Sequence, residues 1–196
     1  MNTKLMTRLS VVALVGALLA GCQTQQGTNT AVETGAATGA AAGGIVGYNW
    51  QSIKNKISDD SKGTGTQVTE QQDGSLKVNI PNSISFDTNS YAIKPSFDPV
   101  LNSVTQTMQQ HPELIANVVG HTDNTGQPAY NQTLSQNRAQ SVASYISSHG
   151  VPAQRLSAQG MGQNQPIADN STEASRAQNR RVEIYLRATA QPGQVQ

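Results

Sequence analysis

Two polar features of this sequence have the residue types and positions needed to bind a small charged group. The segment His121-Thr122-Asp123-Asn124-Thr125-Gly126 follows a nearly continuous apolar run, and ligands favour the carboxyl ends of strands in open α/β sheets. Arg138 lies about 40° from Leu134 and Val142 on a helix of ~100° per residue, inside the apolar stripe. An acid and a base in this arrangement suit a zwitterion.

The role of Arg138 stays open on these grounds alone. A guanidinium within an apolar stripe must find a carboxylate or a ligand. In one interpretation Arg138 contacts a ligand together with Asp123. In the other it is structural, and it either pairs with Asp123 or extends its charged end to water.

Residues that could form a catalytic site are few. The pair His121 and Asp123 could begin a metal site, but a catalytic zinc normally has three protein ligands. The sequence contains no H-E-x-x-H and no G-x-S-x-G, which are the motifs of zinc proteases and serine hydrolases. The one cysteine, Cys22, lies near the N-terminus. We therefore expect a binding protein rather than an enzyme, with no metal or cofactor.

Apolar periodicity predicts the elements that position these residues. Alternating or continuous apolar runs predict strands at 76–80, 114–119, 155–160 and 182–186, with a short extended piece at 84–86. Helical spacing predicts helices at 97–108, 130–149 and 172–178. Strands that alternate with helices imply an α/β fold, with a compact sheet carrying helices on one face.

Five segments resemble the C-terminal domain of the OmpA family, a periplasmic peptidoglycan-binding module that also occurs in Pal-type lipoproteins. They are IPNSISFDTNS (80–90), VVGHTDNTG (118–126), YNQTLSQNRAQSVASYISSHGV (130–151), RLSAQGMGQNQPIADN (155–170) and AQNRRVEIYL (177–186). The resemblance covers roughly residues 75–188 and implies a βαβαβ-type two-layer sandwich. One departure is Ser175, where the family often has glycine, and it does not involve the charged residues.

The same resemblance implies a ligand and its site. The family module binds diaminopimelate of the peptidoglycan stem, which presents an ammonium and a carboxylate on one carbon. Asp123 of GHTD matches the aspartate that takes the ammonium, and Arg138 of LSxxRA matches the arginine that takes the carboxylate bidentately. The resemblance thus favours ligand contact for Arg138. The remaining carried-over positions are Thr122, Asn131 and Arg180, with Asp87 and Asn89 of the FDTN segment at the edge of the site.

The N-terminus has the pattern of an export signal. Lys4 and Arg8 precede an apolar run over 9–20, which is shorter than the ~20 residues that a transmembrane helix needs. The run ends at Leu-Ala-Gly-Cys22 and resembles the bacterial lipobox, which implies cleavage of residues 1–21 and lipidation of Cys22. An ordinary signal peptide with an incidental cysteine is the alternative. Gln23 rather than aspartate follows the cysteine, which implies the outer membrane, with the protein on its periplasmic face.

Residues 22–74 are predicted to connect the lipid anchor to the folded part. Four glycines recur every four residues, on one face of a helix. This zipper could self-associate in lipid, although a flexible Gly/Ala linker is the alternative. Tyr48 and Trp50 suit a membrane interface, and 58–74 has linker composition. About 53 residues separate Cys22 from Ser75, roughly 175–190 Å when extended. The glycines are Gly35, Gly39, Gly43 and Gly47.

The partners expected are therefore peptidoglycan, the outer membrane and a second copy of the chain. Removing residues 1–21 removes two of the 13 basic residues and none of the 12 acidic ones, which leaves a formal charge of −1. A chain so close to neutral offers no electrostatic basis for nucleic acid binding. The alternative to peptidoglycan binding is a module that binds other envelope proteins. Residues 189–196 form a tail.

Overall fold

The computed structural model describes residues 47–190. The expectations for the signal peptide, for Cys22 and for Gly35, Gly39 and Gly43 lie outside the described residues. Within the described range, no helix combines the length and the apolar character that crossing a membrane requires.

Helices and strands alternate along most of this range. The helices are α1 (Gln51–Asp60), α2 (Asn82–Ser85), α3 (Asp98–Gln110), α4 (Pro128–Ser148) and α5 (Glu173–Asn179). The strands are β1 (Gln67–Glu70), β2 (Leu76–Pro81), β3 (Leu114–His121), β4 (Leu156–Gly160) and β5 (Arg181–Ala188). Short 3₁₀ turns lie at Pro95–Phe97 and Ala153–Arg155.

The five strands form one mixed sheet in the order β1-β2-β5-β3-β4. Strands β3 and β4 are parallel, whereas β1 with β2, β2 with β5 and β3 with β5 are antiparallel. It follows that the carboxyl ends of β2, β3 and β4 meet the amino ends of β1 and β5 along one side of the sheet. We call this side the site edge, and its strand-end residues are Gln67, Pro81, His121, Gly160 and Arg181.

The core lies between this sheet and its helices. On β2 and β5 alternate residues such as Val78 and Ile184 are fully buried, as expected for strands with one face on a core. They form a single apolar cluster with side chains of α1, α3 and α4, including Leu101 and Val142. The predicted α/β class is therefore confirmed, as are the predicted strands and helices between 76 and 186, apart from the piece at 84–86.

Helix α4 lies directly on the sheet because two strand glycines leave room for it. A Cβ atom on Gly120 would clash with the backbone carbonyl of Ser135, and one on Gly160 would clash with the backbone of Gln136. Any larger residue would push the helix away. The position of α4 relative to the ends of β3 and β4 is thus fixed by backbone contact.

The prediction that residues 58–74 are a linker is wrong in the structure. The segment contains the end of α1 and all of β1, which pairs with β2 through Val68 and Val78. Tyr48 and Trp50, predicted at a membrane interface, are 3% and 2% exposed in the core. The indole Nε1 of Trp50 donates a hydrogen bond to the carbonyl of Gly74 at 3.0 Å. The folded part therefore includes residues 48–74, ahead of the predicted boundary at 75.

Two local predictions also fail. Residues 84–86 were expected to be extended, but α2 forms there because Pro81 ends β2 and the Ser85 hydroxyl donates to its carbonyl at 2.9 Å. Gly47, the fourth glycine of the predicted zipper helix, lies in a turn with φ of +87°. A left-handed residue cannot continue an α-helix, so the helix cannot extend through Gly47.

The burial of Trp50 gives a stability prediction. Trp50→Ala is expected to lower the free energy of unfolding by about 3–5 kcal/mol, because it leaves a cavity in the core. Urea unfolding monitored by circular dichroism measures this. The exposed α1 substitution Ser52→Ala is the control, with an effect of about 0.5 kcal/mol or less. An unchanged unfolding midpoint for Trp50→Ala would mean that this segment is a tether after all.

Candidate functional site

A cleft of about 1010 Å³ lies along the site edge. The structure brings together in its lining all seven residues that the sequence predicted, namely Asp87, Asn89, Thr122, Asp123, Asn131, Arg138 and Arg180. They come from the loop after α2, the loop after β3, helix α4 and the junction of α5 with β5.

Asp123 is a buried carboxylate held by two donors. It lies two residues beyond the end of β3, and its Oδ1 accepts the backbone N–H of Thr125 at 2.8 Å, which fixes the turn. Its Oδ2 accepts from Nη1 of Arg180 at 2.6 Å. Burial raises the pKa of Asp123, but the hydrogen bonds from Arg180 and Thr125 outweigh burial and lower it. The carboxylate is therefore charged at neutral pH.

Arg138 is a buried cation without a carboxylate partner in the described range. It is 3% exposed, and its Nε and Nη2 donate to the carbonyls of Ser90 at 2.9 Å and Asp87 at 3.2 Å. Its guanidinium carbon lies 5.3 Å from the centre of the Phe86 ring, a cation–π distance. Burial lowers the pKa of Arg138 to about 10, so it remains protonated at neutral pH.

This geometry excludes the pairing of Arg138 with Asp123 that the structural interpretation had offered. Arg138 does not pair with Asp123; the partner of Asp123 is Arg180, at the start of β5. Arg180 also contacts Glu173 through Nη2 at 2.5 Å. Burial lowers the pKa of Arg180, but the hydrogen bonds that it donates to Asp123 and Glu173 outweigh burial and raise that pKa. The cleft thus contains one acid–base chain and, apart from it, one guanidinium whose charge is not neutralised by the described residues.

Thr122 and Asn131 hold the loop after β3 in place. Thr122 donates its backbone N–H to the carbonyl of Gly162 at 2.9 Å. The amide of Asn131, on α4, donates to the carbonyl of Thr125 at 2.9 Å and to Oε1 of Gln163 at 3.0 Å. Both residues are buried, and both side chains are already hydrogen-bonded within the protein. They therefore position Asp123.

The FDTN segment contributes backbone more than side chains. The carboxylate of Asp87 is exposed and lies 3.4 Å from Nζ of Lys94. The backbone carbonyl of Asp87 accepts the hydrogen bond from Arg138. Asn89 has φ of +56°, a left-handed conformation that asparagine tolerates better than most residues. This turn directs the carbonyls of residues 87 and 90 toward Arg138.

Two functional residues were not predicted. Phe86 lies under the guanidinium of Arg138, and no feature of its spacing in the sequence marks that role. Glu173 orients Arg180, and here a signal exists: the two are seven residues apart, which is two helical turns and the same helix face.

A cluster of hydrogen-bonded polar side chains around the buried Glu183 lies beside the cleft, near the site edge. Glu183 accepts from Nε of Arg181 at 3.0 Å and from the hydroxyl of Tyr185 at 2.8 Å, and lies 3.2 Å from Nε2 of His121. In place of the candidate metal pair of His121 and Asp123, the structure has His121 in contact with Glu183. Between residues 47 and 190, no group of three or more potential ligand side chains is arranged to hold a metal ion.

Family models and known proteins match this chain in sequence. A family model described as the OmpA family matches residues 85–180, and one described as a YMGG-like Gly-zipper matches residues 1–59. The chain is 43% identical to "Probable lipoprotein YiaD" of Escherichia coli, over 73% of this chain and 65% of that protein. It therefore spans less than two thirds of that relative.

Two further relatives are covered more completely. The outer-membrane lipoprotein YfiB of Pseudomonas aeruginosa is 34% identical, over 62% of this chain and 73% of its own length. The solved structure of the cell wall anchor of the T6SS from Pseudomonas aeruginosa has a TM-score of 0.62 and 30% identity, and covers 69% of this chain and 96% of its own.

The environment of Glu183 predicts a pH-dependent stability. Burial raises its pKa, but His121, Arg181 and Tyr185 together bring it down to about 2. A lowered folded-state pKa stabilises the fold above about pH 4.5 and loses that contribution as the pH falls toward 2. Glu183→Gln is therefore expected to lower the free energy of unfolding by roughly 3 kcal/mol at pH 7 and by less than half of that at pH 3.

Urea unfolding at both pH values measures the difference. Glu70→Gln, at an exposed position on β1, is the matched control and should have little effect at either pH. If Glu183→Gln lowered the free energy of unfolding equally at pH 7 and pH 3, the lowered pKa of Glu183 would be contradicted.

Proposed function

Because this chain belongs to the OmpA family, we propose that its cleft binds the diaminopimelate residue of peptidoglycan and tethers the outer membrane to the cell wall. The ammonium of the ligand approaches Asp123, and the carboxylate on the same carbon approaches Arg138. Arg180 completes the acid side of the site. Thr122 and Asn131 line it, with Asp87 and Asn89 at its edge.

The observation that carries the proposal is the unneutralised charge of Arg138. A buried guanidinium loses the stabilisation that water gives to its charge. A carboxylate partner normally replaces that stabilisation. Within residues 47–190, the direct partners of the Arg138 guanidinium are two backbone carbonyls and an aromatic ring, and no carboxylate forms an ion pair with it. A ligand carboxylate would supply the missing charge, and its ammonium would then meet Asp123 in the same cleft.

The expected affinity of one site is weak. A charge-assisted hydrogen bond contributes about 1.5–3 kcal/mol, and ordering costs offset part of two or three such bonds. Binding of roughly micromolar to millimolar strength follows. Weak binding is sufficient for a tether, because an anchored domain meets many copies of the ligand on one polymer.

The anchor in this proposal is Cys22, lipidated after removal of residues 1–21. Relatives described as outer-membrane lipoproteins support an outer-membrane location, and the periplasmic face is where the cell wall lies. Nothing in the proposed role requires bond cleavage or a metal, so we infer a binding protein rather than an enzyme. Self-association through the glycine segment stays a prediction.

Co-sedimentation with isolated peptidoglycan sacculi tests the clamp. The protein is the mature chain, residues 22–196, with Cys22→Ser to keep it soluble. We expect the protein with an unsubstituted cleft to pellet with the sacculi. Asp123→Asn removes the charge that meets the ammonium, and Arg138→Lys removes the planar fork that binds a carboxylate. Each is expected to reduce the bound fraction at least tenfold.

Matched controls separate charge in the cleft from charge in general. Asp169→Asn and Arg176→Lys change the same residue types at positions that do not line the cleft, and both should pellet normally. Circular dichroism verifies folding of every variant. Failure of the folded parent protein to pellet would exclude peptidoglycan binding and favour an envelope protein as the partner.

Lipidation of Cys22 is tested in cells. Cys22→Ser is expected to abolish incorporation of labelled palmitate, because the thiol that carries the lipid is gone, and to move the protein from the outer-membrane fraction to the soluble periplasm. Gln23→Asn, next to the cysteine, is the control and should remain lipidated. Continued membrane fractionation of Cys22→Ser would contradict the anchor.

A further inference from the structure

The cleft extends well beyond Asp123, Arg138 and Arg180. From Asp123 it continues along the site edge, across the ends of β5 and β2, to the turn before β1. We call this extension the amide arm. Six uncharged residues line it, namely Gly65, Gln67, Asn79, Pro81, Asn82 and Ser83. The charged residues Arg181 and Lys94 of the cleft adjoin Pro81 and Ser83.

The amide arm is built by residues that precede the OmpA family match at 85–180. Its outer wall is the turn between α1 and β1. In this turn the Thr64 hydroxyl donates to the carbonyl of Ser61 at 2.6 Å and accepts the N–H of Thr66 at 3.2 Å. Gly65 has φ of +77°, and a Cβ there would lie 3.3 Å from Cγ of Pro81. The wall is thus ordered by its own hydrogen bonds and lies against the end of β2.

Two carboxamide side chains lie side by side in this arm. Gln67 and Asn79 are paired in the register of β1 and β2, so they project from the same face of the sheet. Oδ1 of Asn79 is buried and has no hydrogen-bond partner among residues 47–190. Buried polar atoms without partners are uncommon, and this one lies in the wall of a cleft.

Carboxamides suit one kind of ligand group. Each carries a donor and an acceptor, which is the complement of a peptide group. In the proposed function, the residue held by Asp123 and Arg138 is part of a peptide, so amide groups are its nearest covalent neighbours. From β3 to β1 the site edge crosses three strand spacings, or ~14 Å, which an extended peptide spans with about four residues.

We propose that the amide arm binds the backbone of the stem peptide next to diaminopimelate, with Gln67 and Asn79 as its hydrogen-bonding residues. This inference rests on the proposed function of the cleft, because the charged residues fix where the peptide begins. The segment 47–81 then contributes directly to recognition as well as to the core.

An NMR titration of the mature chain with Cys22→Ser tests the arm, using two probes. One is free meso-diaminopimelate, and the other is the tripeptide L-alanyl-γ-D-glutamyl-meso-diaminopimelate. We expect the parent protein to bind the tripeptide at least fivefold more tightly than the free amino acid. The double variant Gln67→Ala/Asn79→Ala should lose this preference and keep its affinity for free diaminopimelate.

Further variants keep the result interpretable. Gln67→Ala alone changes an exposed side chain, so it tests the arm even if the change at Asn79 disturbs folding. Thr69→Ala, on the same face of β1 but outside the cleft lining, should leave both affinities unchanged.

Each contrary result has a distinct meaning. A preference for the tripeptide that survives both Gln67→Ala and the double variant overturns the amide arm and leaves the charged clamp intact. Failure of the parent protein to bind either probe overturns the proposed function and the arm together.

Discussion

The site depends on the backbone contact between α4 and the sheet. Because Gly120 and Gly160 have no side chains, the helix lies on the ends of β3 and β4 at a distance that no other residue would allow. This contact closes the core, and it also fixes the position of Arg138 relative to Asp123, which follows β3 directly. The helix cannot tilt to bring the guanidinium to the carboxylate without losing apolar contacts of residues such as Val142. The two charges therefore remain in one cleft without neutralising each other.

Each charge has its own support, and the two supports differ in kind. Asp123 is held by a guanidinium and a backbone N–H, which keep it ionised and leave it partly neutralised. Arg138 is held by carbonyls and an aromatic ring, which orient it and leave its full charge available. A ligand with only an ammonium would meet Arg180 as well as Asp123 and gain little. Under the proposed function, a zwitterion satisfies both ends at once, because its ammonium meets Asp123 and its carboxylate meets Arg138.

Apolar periodicity predicted the elements around the site well, because their buried stripes are regular. The helix predicted at 130–149 is α4, Pro128–Ser148, and the strand at 114–119 is β3, Leu114–His121. The segment 47–74 was wrongly predicted because its five buried apolar residues are scattered among polar ones and do not form a run. They are Tyr48, Trp50, Ile53, Ile57 and Val68. The pairing of Asp123 with Arg180 could not be predicted from spacing either, since the two are 57 residues apart and meet only through the tertiary packing of α5.

The corrected start of the folded part also changes the reach of the proposed tether. If Cys22 carries the lipid, 26 residues connect it to Tyr48, where the core begins. Fully extended, that chain spans at most ~90 Å, about half the distance implied by a linker that runs to residue 75. A shorter connection confines the domain to a smaller volume near the membrane and raises its effective concentration at the nearest stem peptides. Weak individual contacts can then hold the two layers together, but only where the cell wall lies within that distance of the membrane.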